Sequence, residues 1–181
     1  MREPFENFIA NPCEETFRAL REAFVVSPTY LPVETPMQSL SALFDEGNYT
    51  VLLKLAERLM PSCLLSPSIH YFAGKAASAL GNTEREQLEV FLYVALRDCL
   101  LQSGDGTPAR PYLVTQVDDE HFIMAATSRR ATMQSVIQHE DGRVFDVLSA
   151  EGGNEVWFDI TALERRRAQM RQQEPPPGGT R

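Results

Sequence analysis

The hydrophobic period of this chain changes at Gly104, and that change constrains the fold more than any other feature. Before it, apolar residues recur every three or four positions, which gives a helix one buried stripe. After it they alternate, as in a strand with one face against a core. Helices followed by strands imply an α+β fold rather than an alternating α/β one.

Asn11-Pro12 reads as a helix start, with Asn as cap, Pro in the first turn and Glu14 at the capping-box position. Phe17, Leu20, Ala23 and Phe24 then follow at helical spacing to about Val26. Residues 27–35 hold two prolines and read as a loop. Pro36 opens a second helix through Met37, Leu40, Leu43 and Phe44, which Gly47-Asn48 ends. The same dipeptide returns as Gly81-Asn82, a spacing of 34 residues. Around each pair the pattern is helix, turn, helix. Ala73, Gly74, Ala76 and Ala77 are small enough for close helix–helix approach. The arrangement resembles tetratricopeptide packing, one repeat over 33–66 and a second from 67, without most of that repeat's aromatic signature. Two repeats leave open ends that something else must cover.

Five strands are expected at 112–117, 122–126, 133–138, 144–148 and 156–160. Glu140-Asp141-Gly142-Arg143 and Glu151-Gly152-Gly153-Asn154 are tight-turn sequences, so the strands should form an antiparallel meander. Met133, Ser135 and Ile137 would share one face, with Gln134, Val136 and Gln138 on the other, in a sheet partly open on one side. Thr161 and Glu164 form a capping box for a last helix to about Gln172. The proline-rich tail, 174–181, reads as disordered. The organisation is thus a helical region over 1–103, a sheet region over 104–161, a helix over 162–173 and the tail.

Ser103-Gly104-Asp105-Gly106-Thr107-Pro108 opens the most specific stretch. Val117-Asp118-Asp119-Glu120-His121-Phe122, Met133-Gln134-Ser135-Val136 and Arg143-Val144-Phe145-Asp146-Val147-Leu148 follow it. This series resembles an uncharacterised bacterial family, domain of unknown function 4919. The likeness extends over residues 11–160 and is specific over 103–148. The chain departs from the family in placing His121-Phe122 where an acidic residue and Tyr are usual. The resemblance implies a helical front half and a sheet behind it, and no activity.

Several function classes find no support. A net charge of -8 opposes a surface that neutralises phosphates, so no nucleic-acid partner is expected. No segment approaches the roughly 20 apolar residues of a membrane span, and the first twelve residues do not read as a signal peptide. A cytoplasmic location is the resulting expectation. Cys13, Cys63 and Cys99 form no CxxC pair and read as small buried hydrophobes.

Candidate chemistry is sparse. Gly104 reads as a helix cap in the left-handed region, with Asp105-Gly106 turning the chain into the sheet. The cluster Asp118-Asp119-Glu120-His121, on a strand–strand turn and joined by Asp105 or Asp98, is the densest set of oxygen and nitrogen ligands, but its spacing matches no metal site. His70 and His139 lack metal-ligand partners. Ser103 and Cys99 are conceivable nucleophiles without a named base. Arg165, Arg166, Arg167 and Arg171 make a solvated basic face. No metal or cofactor is therefore expected. On the helices, Tyr71, Lys75 and Ser78 should project from the second hairpin toward a concave face able to grip a peptide or helix, unless the sheet covers it.

The reading is α+β: tetratricopeptide-like α-hairpins packed with a C-terminal antiparallel β-meander. Its function is non-enzymatic interaction with an unidentified protein partner through Tyr71, Lys75 and Ser78, as an adaptor, a chaperone or an immunity-type inhibitor. A homo-oligomer is compatible with it. The alternative is a small hydrolase or ligand-binding protein with its site at the helix–sheet junction, at Asp105, Asp118 and His121.

Overall fold

A computed structural model describes residues 1–32 and 36–173. The fold is mixed α+β. Six helices come first: α1 (Arg2–Ala10), α2 (Glu14–Val25), α3 (Met37–Asp45), α4 (Tyr49–Cys63), α5 (Pro67–Ala79) and α6 (Thr83–Gln102). Then follow β1 (Tyr112–Leu113), α7 (Val117–Ala126), β2 (Ala131–Gln138), β3 (Val144–Ala150), β4 (Glu155–Asp159) and α8 (Thr161–Gln173). The expected tail lies outside the described residues.

The recurring Gly-Asn pair does the same work twice. Gly47 and Gly81 have φ of 70° and 71°, a left-handed conformation that favours glycine. Asn48 N–H donates to Leu43 O and Asn82 N–H to Ala77 O, so each pair closes its helix with a bond spanning the last turn. Asn82 then starts α6 by accepting the Arg85 N–H. Two helical hairpins result, α3–α4 and α5–α6. Ala73, Gly74, Ala76 and Ala77 of α5 are buried, and Gly74 lets α6 approach closely, as their size suggested.

Several details differ from the sequence expectations. Asn11 ends α1, a helix the sequence reading did not include, and α2 is capped by Cys13, whose backbone N–H bonds the Thr16 hydroxyl. Residues 122–126 are helix, not strand. Asp119 Oδ2 accepts from the N–H groups of Thr115 and Gln116 and from the Thr115 hydroxyl, which nucleates α7. The acidic run 118–120 sits in the first turn of α7, where the helix dipole favours negative charge. The sheet is therefore four-stranded in the order β1-β4-β3-β2, and mixed: β2, β3 and β4 form an antiparallel meander, while β1 pairs parallel with β4. Thr161 is no side-chain cap for α8. Its hydroxyl bonds Val144 on β3, and Asp159 Oδ1 receives the Thr161 N–H.

Two apolar cores result. One gathers Phe8, Phe17, Leu20, Phe24 and Tyr30 with the inner side of α6, α7, the sheet and Leu163. The other is local to the hairpins: Leu40, Leu52, Ala56, Cys63, Ile69, Phe72, Ala73 and Ala76. At the junction Ser103 is buried; its hydroxyl donates to Leu100 O and accepts the Leu113 N–H, tying α6 to β1. The left-handed residue here is Gly106, not Gly104. Gly104 is required by space instead, since a Cβ there would lie 2.4 Å from Pro111 O.

Two glycine substitutions should separate these causes. Gly104→Ala forces backbone apart and should cost more than about 2 kcal/mol. Gly81→Ala meets no atom within 4 Å and carries only conformational strain, about 1 kcal/mol. Urea midpoints of the two variants measure the difference.

Candidate functional site

The residues expected on an open helical face do line one. Tyr71, Lys75 and Ser78 form one wall of a groove of about 260 Å³, and Glu86, Val90, Tyr93 and Val94 on α6 form the other. All three α5 side chains are exposed, so the sheet does not cover the groove. Their spacing of three and four residues places them on one side of α5, while Phe72, Ala73, Ala76 and Ala77 face the core.

Two aromatic rings line the groove, one on each wall. Tyr71 and Tyr93 have ring centroids 5.6 Å apart, with Phe72 of the hairpin core 5.4 Å from Tyr71 and Phe122 of α7 6.5 Å from Tyr93. The Lys75 ammonium stands 5.6 Å over the Tyr71 ring and the Arg97 guanidinium 5.6 Å over the Tyr93 ring, both within cation–π reach. Apolar surface continues onto the outer face of α6, where Leu88, Val90, Phe91 and Val94 are all exposed.

Beneath the groove lies a polar cluster that sequence reasoning missed. His70 is fully buried. Its Nε2 donates to Leu64 O at 2.9 Å, and its Nδ1 lies 2.6 Å from Glu89 Oε2. Because the carbonyl only accepts, Nε2 carries a hydrogen, and a second proton lies between Nδ1 and the Glu89 carboxyl. Arg85 Nε donates to the other oxygen of Glu89 at 2.6 Å and reaches Glu57 of α4 at 3.6 Å. Gly74 makes room for this, since a Cβ there would be 3.3 Å from Glu89 Cβ. Both ring nitrogens of His70 are occupied, so it offers no base to a substrate. The signal in the sequence was Arg85 and Glu89 in line with the apolar stripe of α6.

The residues of the alternative junction site sit on two segments, Asp105 in the loop after α6 and Asp118 and His121 on α7. Asp105 is exposed, and hydrogen bonds from the Thr107 hydroxyl and N–H lower its pKa. Asp118 is half-buried and His121 exposed on α7. Among the described residues no group of three His, Cys, Asp or Glu side chains could hold a metal ion. The suggested nucleophiles are also sealed: Ser103 is bonded inside the junction, and burial pushes the Cys99 thiol up to about 11. Asp98 pairs with Arg97 on the surface. His139 stacks edge-on to Phe145 at 5.2 Å. Arg166 and Arg167 are not simply solvated, for they donate to Tyr30 O and Pro32 O and fasten α8 to the loop after α2.

The carboxylates that do turn inward are Asp119 and Glu120. Glu120 faces Asp146 of β3, whose other side receives the Gln134 amide. Burial, and then the neighbouring Asp146 charge, raise the Glu120 pKa from 4.5 to about 9. Glu120 Oε1 and Asp146 Oδ1 are buried without a hydrogen-bond partner among the described residues.

No protein-family model, curated protein or solved structure matches the chain.

Glu120 binds its proton more tightly folded than unfolded. Its contribution to stability is therefore full below about pH 4.5 and is lost as pH rises toward about 9. Glu120→Gln should flatten this decline and stabilise the protein by about 1–3 kcal/mol at pH 7. Urea unfolding from pH 5 to pH 9 measures it; parallel curves for the two proteins would contradict the assignment. Glu89→Ala should cost about 3 kcal/mol or more, because it strands His70 and Arg85. Thermal melts at neutral pH give that loss.

Proposed function

We propose that the protein is a non-enzymatic interaction module whose α5–α6 groove receives a peptide segment of a protein partner. The observation that carries this reading is the division of the groove. Its rim is aromatic and cationic, whereas the one histidine in its wall is sealed below with both nitrogens engaged. Rigid aromatic rings beside exposed Val90 and Val94 favour an apolar anchor, which buries surface at little entropic cost. Lys75 and Arg97 at the rim favour an acidic residue next to that anchor.

The paired hairpins with their shared Gly-Asn turn support a tetratricopeptide-like description of 37–102. Membership of domain of unknown function 4919 belongs to the same proposal and adds no activity to it.

Selection from a displayed random-peptide library against the full chain tests the reading. Peptides with an aromatic or aliphatic anchor and an adjacent acid should be enriched. The double variant Tyr71→Ala, Lys75→Glu should bind them at least about tenfold more weakly, a loss of roughly 1.4 kcal/mol, with an unchanged circular dichroism spectrum. Enriched peptides that bind both proteins equally would remove the groove from the proposal.

A further inference from the structure

The free edge of the sheet presents a different surface. β2 is the outermost strand beside β3, and its eight residues, Ala131–Gln138, contain no charge, no proline and no glycine. All except Ile137 are exposed, including Met133 at 68% and Val136 at 63%. β3 and β4 contribute residues to the larger core, and β2 contributes none. Edge strands are ordinarily shielded by charge, proline or shortness. The opposite edge, β1, is only two residues long. On β2 the single irregularity is a register shift between Ala131 and Met133, which leaves 133–138 regular.

The direction of the unpaired backbone groups follows from the hairpin. His139 N–H donates to Arg143 O, and Ile137 and Ser135 stand opposite Phe145 and Val147. The odd-numbered residues therefore bond β3, and Gln134, Val136 and Gln138 turn their N–H and C=O groups toward the free edge.

We infer that this edge pairs with the β2 edge of a second copy of the chain, antiparallel and centred on Ser135. Charge selects both partner and direction. Arg129 and Arg130 precede the uncharged strand, and Glu140 and Asp141 follow it. Antiparallel self-pairing brings Arg130 of one copy beside the Glu140–Asp141 corner of the other, at both ends. Parallel pairing sets Arg130 against Arg130 and Glu140 against Glu140. In the monomer Arg130 has only a loose contact, 3.8 Å from Glu151 with both side chains largely exposed, and Asp141 is paired at the surface with Arg143. With Ser135 on the two-fold axis, Gln134 faces Val136 of the other copy and exchanges main-chain bonds with it, about four in all. On the opposite face Met133 lies against Ile137 of the other copy. This surface is separate from the α5–α6 groove and does not rest on the function proposed for it.

Sedimentation of the full chain from low to high micromolar concentration tests the inference. The wild type should shift from monomer to dimer. Val136→Pro removes an outward N–H that the monomer does not use, and should weaken the dimer at least about tenfold. Ser135→Lys and Ser135→Glu each place like charges across the axis, so each alone should be monomeric while their equimolar mixture dimerises. The charge pair also keeps the test decisive should Val136→Pro fail to fold. A wild type that stays monomeric throughout, or a dimer that both Ser135 variants leave intact, would overturn the inference.

Discussion

The buried proton between His70 and Glu89 fixes the position of α6, and much of the molecule hangs from α6. The contact joins three helices at once: Leu64 O closes the end of α4, His70 belongs to α5, and Glu89 with Arg85 belongs to α6. Apolar packing tolerates small slides between helices, because one methyl contact replaces another. A directional set of bonds centred on the buried His70 and Glu89 does not. The first half of α6 is thereby held on α5, and its second half delivers Leu92, Leu96, Cys99 and Leu100 into the larger core. The groove exists because the two helices meet at Gly74 and diverge at their outer surfaces, where Tyr71 and Tyr93 stand.

At the sheet the polar interior has another character. Asp119 Oδ2 accepts three bonds while its Oδ1, too, has no partner among the described residues, and burial pushes its pKa up. Glu120 and Asp146 leave oxygens unmatched. The first carboxylate builds the start of α7, while the second and third share a site that tolerates little negative charge. Such an acid pair marks an enzyme only where substrate reaches it. Glu120 and Asp146 are nearly sealed, and their effect falls on stability instead.

The helical half was legible because local chemistry specifies it. A Gly-Asn turn, Pro36 at the start of α3 and a run of small residues each act within a few positions. The expectation that Tyr71, Lys75 and Ser78 project outward from α5 came from aligning a second tetratricopeptide-like repeat, and all three are exposed. The stretch 117–126 was not legible, since Val117, Phe122, Ile123 and Met124 suit either a strand or a helix. What decided it was Asp119 reaching back to Thr115 and Gln116, a three- or four-residue signal hidden in an acidic run. That error singled out the wrong residues: a strand–strand turn over 118–121 offered Asp118 and His121, whereas the helix buries the adjacent Asp119 and Glu120 together. Arg85 and Glu89 stood out by their place in the apolar stripe of α6, but the pairing of Glu89 with His70 depends on how closely two helices approach.

The two cores are interleaved along the chain, and this bears on the order in which the protein takes shape during synthesis. The hairpin core draws only on residues between 37 and 76 and can close as soon as α5 has emerged. The larger core needs Phe8 through Tyr30 at one end and Leu92 through Leu163 at the other. The first two helices therefore leave the ribosome with their aromatic faces uncovered, and wait for most of the chain before Tyr30 can reach Thr115. Their exposed interval lengthens when translation slows between residue 30 and Leu163, the last residue of that core.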